Sequence, residues 1–274
     1  MLRISTLFFT LFLLFYSQQN IYCQNTINPT DSVVMNQWAT NCTIPGWIAT
    51  SPIYLWTGVD TINVWGEYRV SKIDLTNQNI GCNIPAGLLD SLLALEELRI
   101  RGNFFSVQAN SWLTLTHPNL RIVEISENEF SRIPFDELLL YTPFLDTLLA
   151  ANYINQFSIS INPYPSSFHA NLKRLDISNN KYSGIFDLNA YPALNSILQI
   201  NNNFFVDFGL PTANFNGPYL IDMSYNDLTG LGPIRLLMER NAKFERLHAR
   251  NATDNSSAKP FLNVTPSNFA NNTF

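Results

Sequence analysis

The side chains able to do chemistry in this chain are scattered. His117, His169 and His248 lie in separate stretches, and none stands at metal-ligand spacing from a cysteine or an acid. The chain has no Gly-x-Ser-x-Gly, no His-Glu-x-x-His and no glycine-rich phosphate loop. Glu124 and Glu127 suggest paired carboxylates, but in a short strand they belong to a face open to water, where neither is pushed toward neutrality. That points away from an enzyme and from any cofactor. What remains is binding chemistry: Lys72, Arg99, Arg101, Glu124, Glu127, Gln199 and Tyr225 offer ion pairs, an amide and an aromatic anchor.

These residues must be positioned by something, and a recurring pattern supplies it. In 172–182 the apolar residues fall at Leu172, Leu175, Ile177 and Tyr182, with Asn180 before the last. That spacing fits a short strand with two inward side chains, followed by a sharp turn at an asparagine. Leu95, Leu98, Ile100, Asn103 and Phe105 repeat it, as do Leu120, Val123, Ile125, Asn128 and Phe130. Gln78 holds the asparagine place in a first coil. Asn152 holds it one residue early in a fourth, Asn203 and Asn226 hold it in a sixth and seventh, and Asn251 in a doubtful eighth. The steps between these places are 25, 25, 24, 28, 23, 23 and 25 residues. The step of 28 contains the Pro/Ser-rich stretch 162–167, which reads as a bulging loop.

Each coil buries its apolar stripe only against a neighbour, so the strands should pair in parallel along one sheet. Asn103, Asn128, Asn180, Asn203 and Asn226 should then turn inward as a structural ladder, bonding backbone groups of their own and adjacent coils. The outward column Asp74, Arg99, Glu124, Leu149, Asp176, Gln199, Asp222 and His248 would face a ligand. A second outward column would run Thr76, Arg101, Ser126, Ala151, Ser178, Asn201, Ser224 and Arg250. Residues 24–68 lack the pattern and are rich in tryptophan. Trp38, Trp47, Trp56 and Trp65 there are candidates to plug the open end of the stack.

Net charge is −5 and only 14% of residues are charged, which gives no electrostatic reason to bind nucleic acid or an anionic membrane. Residues 1–23 read as a signal peptide, with Arg3, an apolar run over 7–16 that is too short to span a bilayer, and Ile21 and Cys23 before the cleavage point. No later stretch reads as a membrane span. Secretion leaves two cysteines, Cys42 and Cys82, either bonded to each other or buried as thiols. Asn41, Asn251, Asn255, Asn263 and Asn271 are glycan acceptors. The division is therefore 1–23 signal, 24–68 cap, 69–252 repeats, and 253–274 a glycosylated tail or truncated end.

The repeats resemble those of extracellular leucine-rich repeat proteins, whose period is about 20–29 residues. Gly81-Cys82-Asn83-Ile84-Pro85, Ile133-Pro134 and Gly184-Ile185 are similar to the Gly-x-Ile-Pro of plant-type repeats. Trp56-Thr57-Gly58-Val59 is similar to the Trp-x-Gly-Val of their N-terminal cap, although Thr61 stands near the place of the second cap cysteine. The resemblance implies an α/β solenoid: a right-handed coil with a parallel sheet on the concave face, few or no regular helices and about 7–8 repeats. It implies a secreted or receptor-ectodomain-like recognition module that holds a protein or peptide on that face. The alternatives are a stoichiometric inhibitor of a secreted cell-wall-degrading hydrolase and a passive wall or matrix glycoprotein. A co-receptor or a hydrolase target is the implied macromolecular partner.

Overall fold

The computed structural model describes residues 27–84, 87–107, 113–130, 135–153, 159–160, 169–209, 217–227, 246–249 and 262–264. The N-terminal part is a helix followed by a hairpin. Helix α1, Pro29–Cys42, starts because the Asn28 side chain accepts from the Thr30 N–H at 3.0 Å and Pro29 needs no partner for its nitrogen. It ends where Thr43 turns left-handed at φ 48°. Its buried stripe of Val34, Met35, Trp38, Ala39 and Cys42 recurs at helical spacing.

That stripe packs on the first coils. Trp38 packs edge-on against Trp47 (5.6 Å between centroids), Trp47 stacks on Trp56 (5.0 Å), and Trp38 reaches Phe105 of the coils at 6.1 Å. Trp65 does not join them. It is 99% exposed, at the tip of the hairpin formed by β1 (Val59–Val64) and β2 (Glu67–Asp74), where Trp65 and Gly66 both take positive φ. A tight hairpin turn needs two such residues, and the geometry turns the indole away from the core.

Two links fix α1 to the hairpin and the first coil. The fully buried Asp31 carboxylate accepts from Arg69 Nη2 at 2.7 Å, from Arg69 Nε, and from the Val70 N–H at 2.8 Å. Cys42 is disulfide-bonded to Cys82 in β3 (Gly81–Ile84).

From β2 onward the chain winds. The remaining strands are β4 (Glu97–Arg99), β5 (Phe104–Val107), β6 (Ile122–Glu124), β7 (Thr147–Leu149), β8 (Ile159–Ser160), β9 (Arg174–Asp176), β10 (Tyr182–Asp187), β11 (Ile197–Gln199), β12 (Phe204–Gly209), β13 (Leu220–Asp222), β14 (Arg246–Ala249) and β15 (Leu262–Val264). A short helix α2, Phe135–Tyr141, precedes β7. The main sheet runs β1-β2-β4-β6-β7-β9-β11-β13-β14-β15, parallel from β2 to β14, with antiparallel strands at both edges. Smaller parallel sheets, β3-β5 and β12-β10-β8, lie on the return side of the coils.

The architecture is a mostly parallel β-solenoid with few regular helices. Its inward positions, Ile73, Leu98, Val123, Leu148, Leu175, Leu198 and Ile221, are at most 1% exposed and belong to one continuous core. The doubtful eighth coil does contribute a strand, because β14 pairs in register with β13, Ile221 opposite Leu247. Asn251 lies outside the described residues, as does the loop over 162–167.

Two repeat assignments change. Tyr153, not Asn152, occupies the fourth asparagine place: its hydroxyl donates to the Ile125 carbonyl, while Asn152 takes the left-handed position just before it, φ 68°. In the sixth coil Leu194 is fully buried and Asn195 is not, so the first inward place is one residue earlier than the spacing suggested.

The asparagine rungs share one geometry. Asn103 Nδ2 donates to the Leu75 and Ile100 carbonyls at 2.7 and 2.9 Å, and its Oδ1 accepts from the Ile80 N–H at 3.0 Å. Asn128, Asn180, Asn203 and Asn226 each do the same between their own coil and the preceding one. An amide suits this place because it carries donors and an acceptor on one rigid plane.

Candidate ligand-binding face

The outward side of the main sheet, which repeat curvature makes the concave side, is laid out in rows set by the strand register. One row crosses the sheet as Lys72, Glu97, Ile122, Thr147 and Arg174, then Ile197 and Leu220. The next is Asp74, Arg99, Glu124, Leu149, Asp176, Gln199 and Asp222.

At the N-terminal end the charges alternate and pair. Glu97 lies 3.7 Å from Lys72 and 3.2 Å from Arg99. Arg99 donates to Glu124 at 2.8 Å, and Arg101 donates to Glu127 at 2.8 Å with Glu124 3.9 Å away. Glu124 is buried, so it does not lie open to water as its place on a short strand suggested; two arginines fold over it. The hydrogen bond that Arg101 donates to Glu127 raises the Arg101 pKa, against partial burial, and Glu124 and Asp176 add to the rise. Arg101 is the most exposed cation of this network, with 46% of its side-chain surface open.

Along the second row the aspartates serve the backbone. Asp74, Asp176 and Asp222 each accept from the N–H and the hydroxyl two residues on, at Thr76, Ser178 and Ser224, with hydroxyl bonds of 2.7 Å. The second outward column is largely enclosed: Ser126, Ala151, Ser178 and Ser224 are buried at the turn, because each sits where the strand bends into its asparagine rung. Ser126 Oγ accepts from the Ala151 N–H of the next coil.

Beyond the strands a column of left-handed residues runs along the rim: Asn77, Gly102, Glu127, Asn152, Asn179, Asn202 and Tyr225, with φ from 55° to 68°. Gly102 leaves room for the Asn77 side chain, whose Oδ1 would lie 1.9 Å from an added Cβ and would have to turn away. Tyr225 is 40% exposed in this column and Gln199 is half-buried on β11. Counted from Glu124 on β6, Gln199 lies three strands away and Tyr225 four, about 14 and 19 Å at 4.8 Å per strand.

The residues missed by sequence reading are Glu97, Arg174, Ile122, Ile197 and Leu220, all half-buried on this face. Their signal was the position immediately before the first inward residue of each strand, a row the repeat pattern contains as plainly as the other two. Arg174 Nε is buried without a hydrogen-bond partner.

The acceptor Asn41 is exposed near the end of α1, away from the sheet. Asn263 lies in β15 opposite His248, and Asn251, Asn255 and Asn271 lie outside the described residues. His117 and His169 are buried in turns far from each other in sequence, and burial lowers the pKa of both. Among the described residues no group of three or more histidine, cysteine or acidic side chains could hold a metal, and no helix is long and apolar enough to cross a membrane.

No family model and no curated protein matches the chain. Among solved structures it is similar to a pollen receptor kinase 3, at 18% identity over 71% of this chain and 93% of that one, TM-score 0.52. It is also similar to a plant ice-binding protein, at 13% identity over 82% and 80% of the two chains, TM-score 0.50. The LRR ectodomain of the receptor kinase SOBIR1 from Arabidopsis thaliana aligns over 74% of this chain and 95% of that one, at 19% identity and TM-score 0.43. At such identities the likeness concerns the fold, a leucine-rich-repeat-like solenoid resembling plant receptor ectodomains.

Proposed function

We propose that this chain is an extracellular, non-enzymatic recognition module that holds a protein or peptide on its concave sheet. The observation that carries the reading is the sheet face itself. Seven parallel strands, β2 to β13, present in-register rows of largely half-buried charged and apolar side chains, and no return-side segment among the described residues covers them. Arg101, Gln199 and Tyr225 supply contacts along it, while Lys72, Arg99, Glu124 and Glu127 hold the network that aims Arg101. The Cys42–Cys82 bond supports an exported chain, since such bonds persist in oxidising compartments.

The test immobilises the chain and identifies what it retains from the extracellular fluid of its source. A second chain carries Arg101→Gln with Tyr225→Asn, the asparagine chosen because it tolerates positive φ. The partner should be held by the first chain and lost by the second at equal melting temperature. Retention by both would place the contact on another surface. A retained hydrolase that is slowed at equal molar ratio would make the partner an enzyme.

A further inference from the structure

We infer that the middle of the concave face receives a carboxylate of an extended acidic peptide, with Arg174 as the residue that binds it. This rests on the concave-face reading above. Neighbouring cations around the sheet have partners. Lys72, Arg99 and Arg101 alternate with Glu97, Glu124 and Glu127; Lys173 meets Asp146 at 2.5 Å; Arg69 is clamped by Asp31. Arg121 lies over the Phe144 ring and donates to the Phe144 carbonyl. Arg174 has no carboxylate within 4 Å among the described residues, and its buried Nε donates to nothing.

Burial closes Nε to any ligand, so the terminal nitrogens of the guanidinium are the donors that a partner can reach. The nearest acid in its own strand, Asp176, is turned to Ser178 by two bonds and acts electrostatically on Arg101. The planar fork of an arginine matches a carboxylate in two parallel bonds.

The surroundings narrow the source. Arg174 stands in register between Thr147 and Ile197, with Leu220 on the strand beyond and Leu149 in the adjacent row. A strand crossing the sheet advances about 7 Å in two residues. An acid on Arg174 therefore carries an aliphatic side chain onto Ile197 and Leu220. Because strands flank Arg174 on both sides, a crossing peptide continues past it in both directions, and the carboxylate is that of an Asp or Glu side chain; a peptide's C-terminus is an outcome of the test.

The full chain, Arg174→Gln and Arg174→Lys are each panned against two random octapeptide libraries, one with free C-termini and one with both peptide ends tethered. The native chain should enrich tethered peptides carrying Asp or Glu within two positions of an aliphatic residue. For the best synthetic peptide, Arg174→Gln should lose about tenfold or more in affinity, and Arg174→Lys less. Enrichment of free, aliphatic C-termini alone, peptides without acidic preference, or a preference unchanged in Arg174→Gln overturn the assignment.

A chain with Ile197→Glu and Leu220→Glu separates the two readings. Peptides that still bind it sink the concave face and this inference together, as does a selection that yields none. Peptides that need Ile197 and Leu220 but ignore Arg174 sink this inference alone.

Discussion

Asn180 satisfies three buried backbone groups with one side chain: the Ala150 and Ile177 carbonyls and the Tyr153 N–H. Asn180→Leu fills the space yet leaves all three unmade, and should cost about 3 kcal/mol or more in denaturant unfolding. A loss below about 1 kcal/mol would mean that the turn does not depend on its amide.

His169 gives a second prediction at this scale. It is buried against Tyr191, and burial lowers its pKa from 6.5 to about 4. Above pH 6.5 the ring is neutral in folded and unfolded chains alike, so the full stability is present. Between pH 6.5 and 4 only the unfolded chain takes up the proton, so stability falls, by about 2 kcal/mol at pH 5. His169→Phe should melt with a weaker decline from pH 7 to pH 5 than the native chain, and equal declines would refute the cause. His117, buried near Asp90, acts in the same direction. Spacing marked the residues of the asparagine places but passed over Tyr153, because a phenol reaches the same carbonyl with a different shape and no amide signal.

Among the elements, α1 is the one whose placement depends most on individual bonds. Its stripe packs on the first coils, and Asp31 and Cys42 decide where along them it sits. Replacing both Cys42 and Cys82 by serine opens a link across 40 residues and should lower stability by about 2–4 kcal/mol, read as a lower denaturant midpoint with a steeper slope, since the freed unfolded chain is less compact. An unshifted midpoint would show that Asp31 and the tryptophans hold the helix alone.

Tryptophan content singled out this region, and three of its four rings are buried in the core. Trp65 could not be told apart, since exclusion from the core follows from a two-residue hairpin turn and not from residue type. The edge strand β15 carried no repeat signal either. An antiparallel closing strand needs only a few extended residues beside an open edge.

At the scale of the whole molecule, stability is the sum of coils that each bury one stripe against the next. The rows on the open face follow from that stacking, because strands held in register by the inward residues also align the outward ones. Several outward positions were therefore legible in advance, Lys72, Arg99 and Arg101 among them, while Arg174, Glu97, Ile197 and Leu220 were not singled out.

The sequence by itself determined the period, the parallel sheet and which side chains face in, because a solenoid repeats one local solution and its signal accumulates over every turn. Only the tertiary structure decided the pairing of charges, with Glu124 buried beneath two arginines and Arg174 left without a carboxylate. Whether an outward charge is neutralised depends on reach and rotamer between coils about 25 residues apart in the chain, and no local pattern encodes that distance.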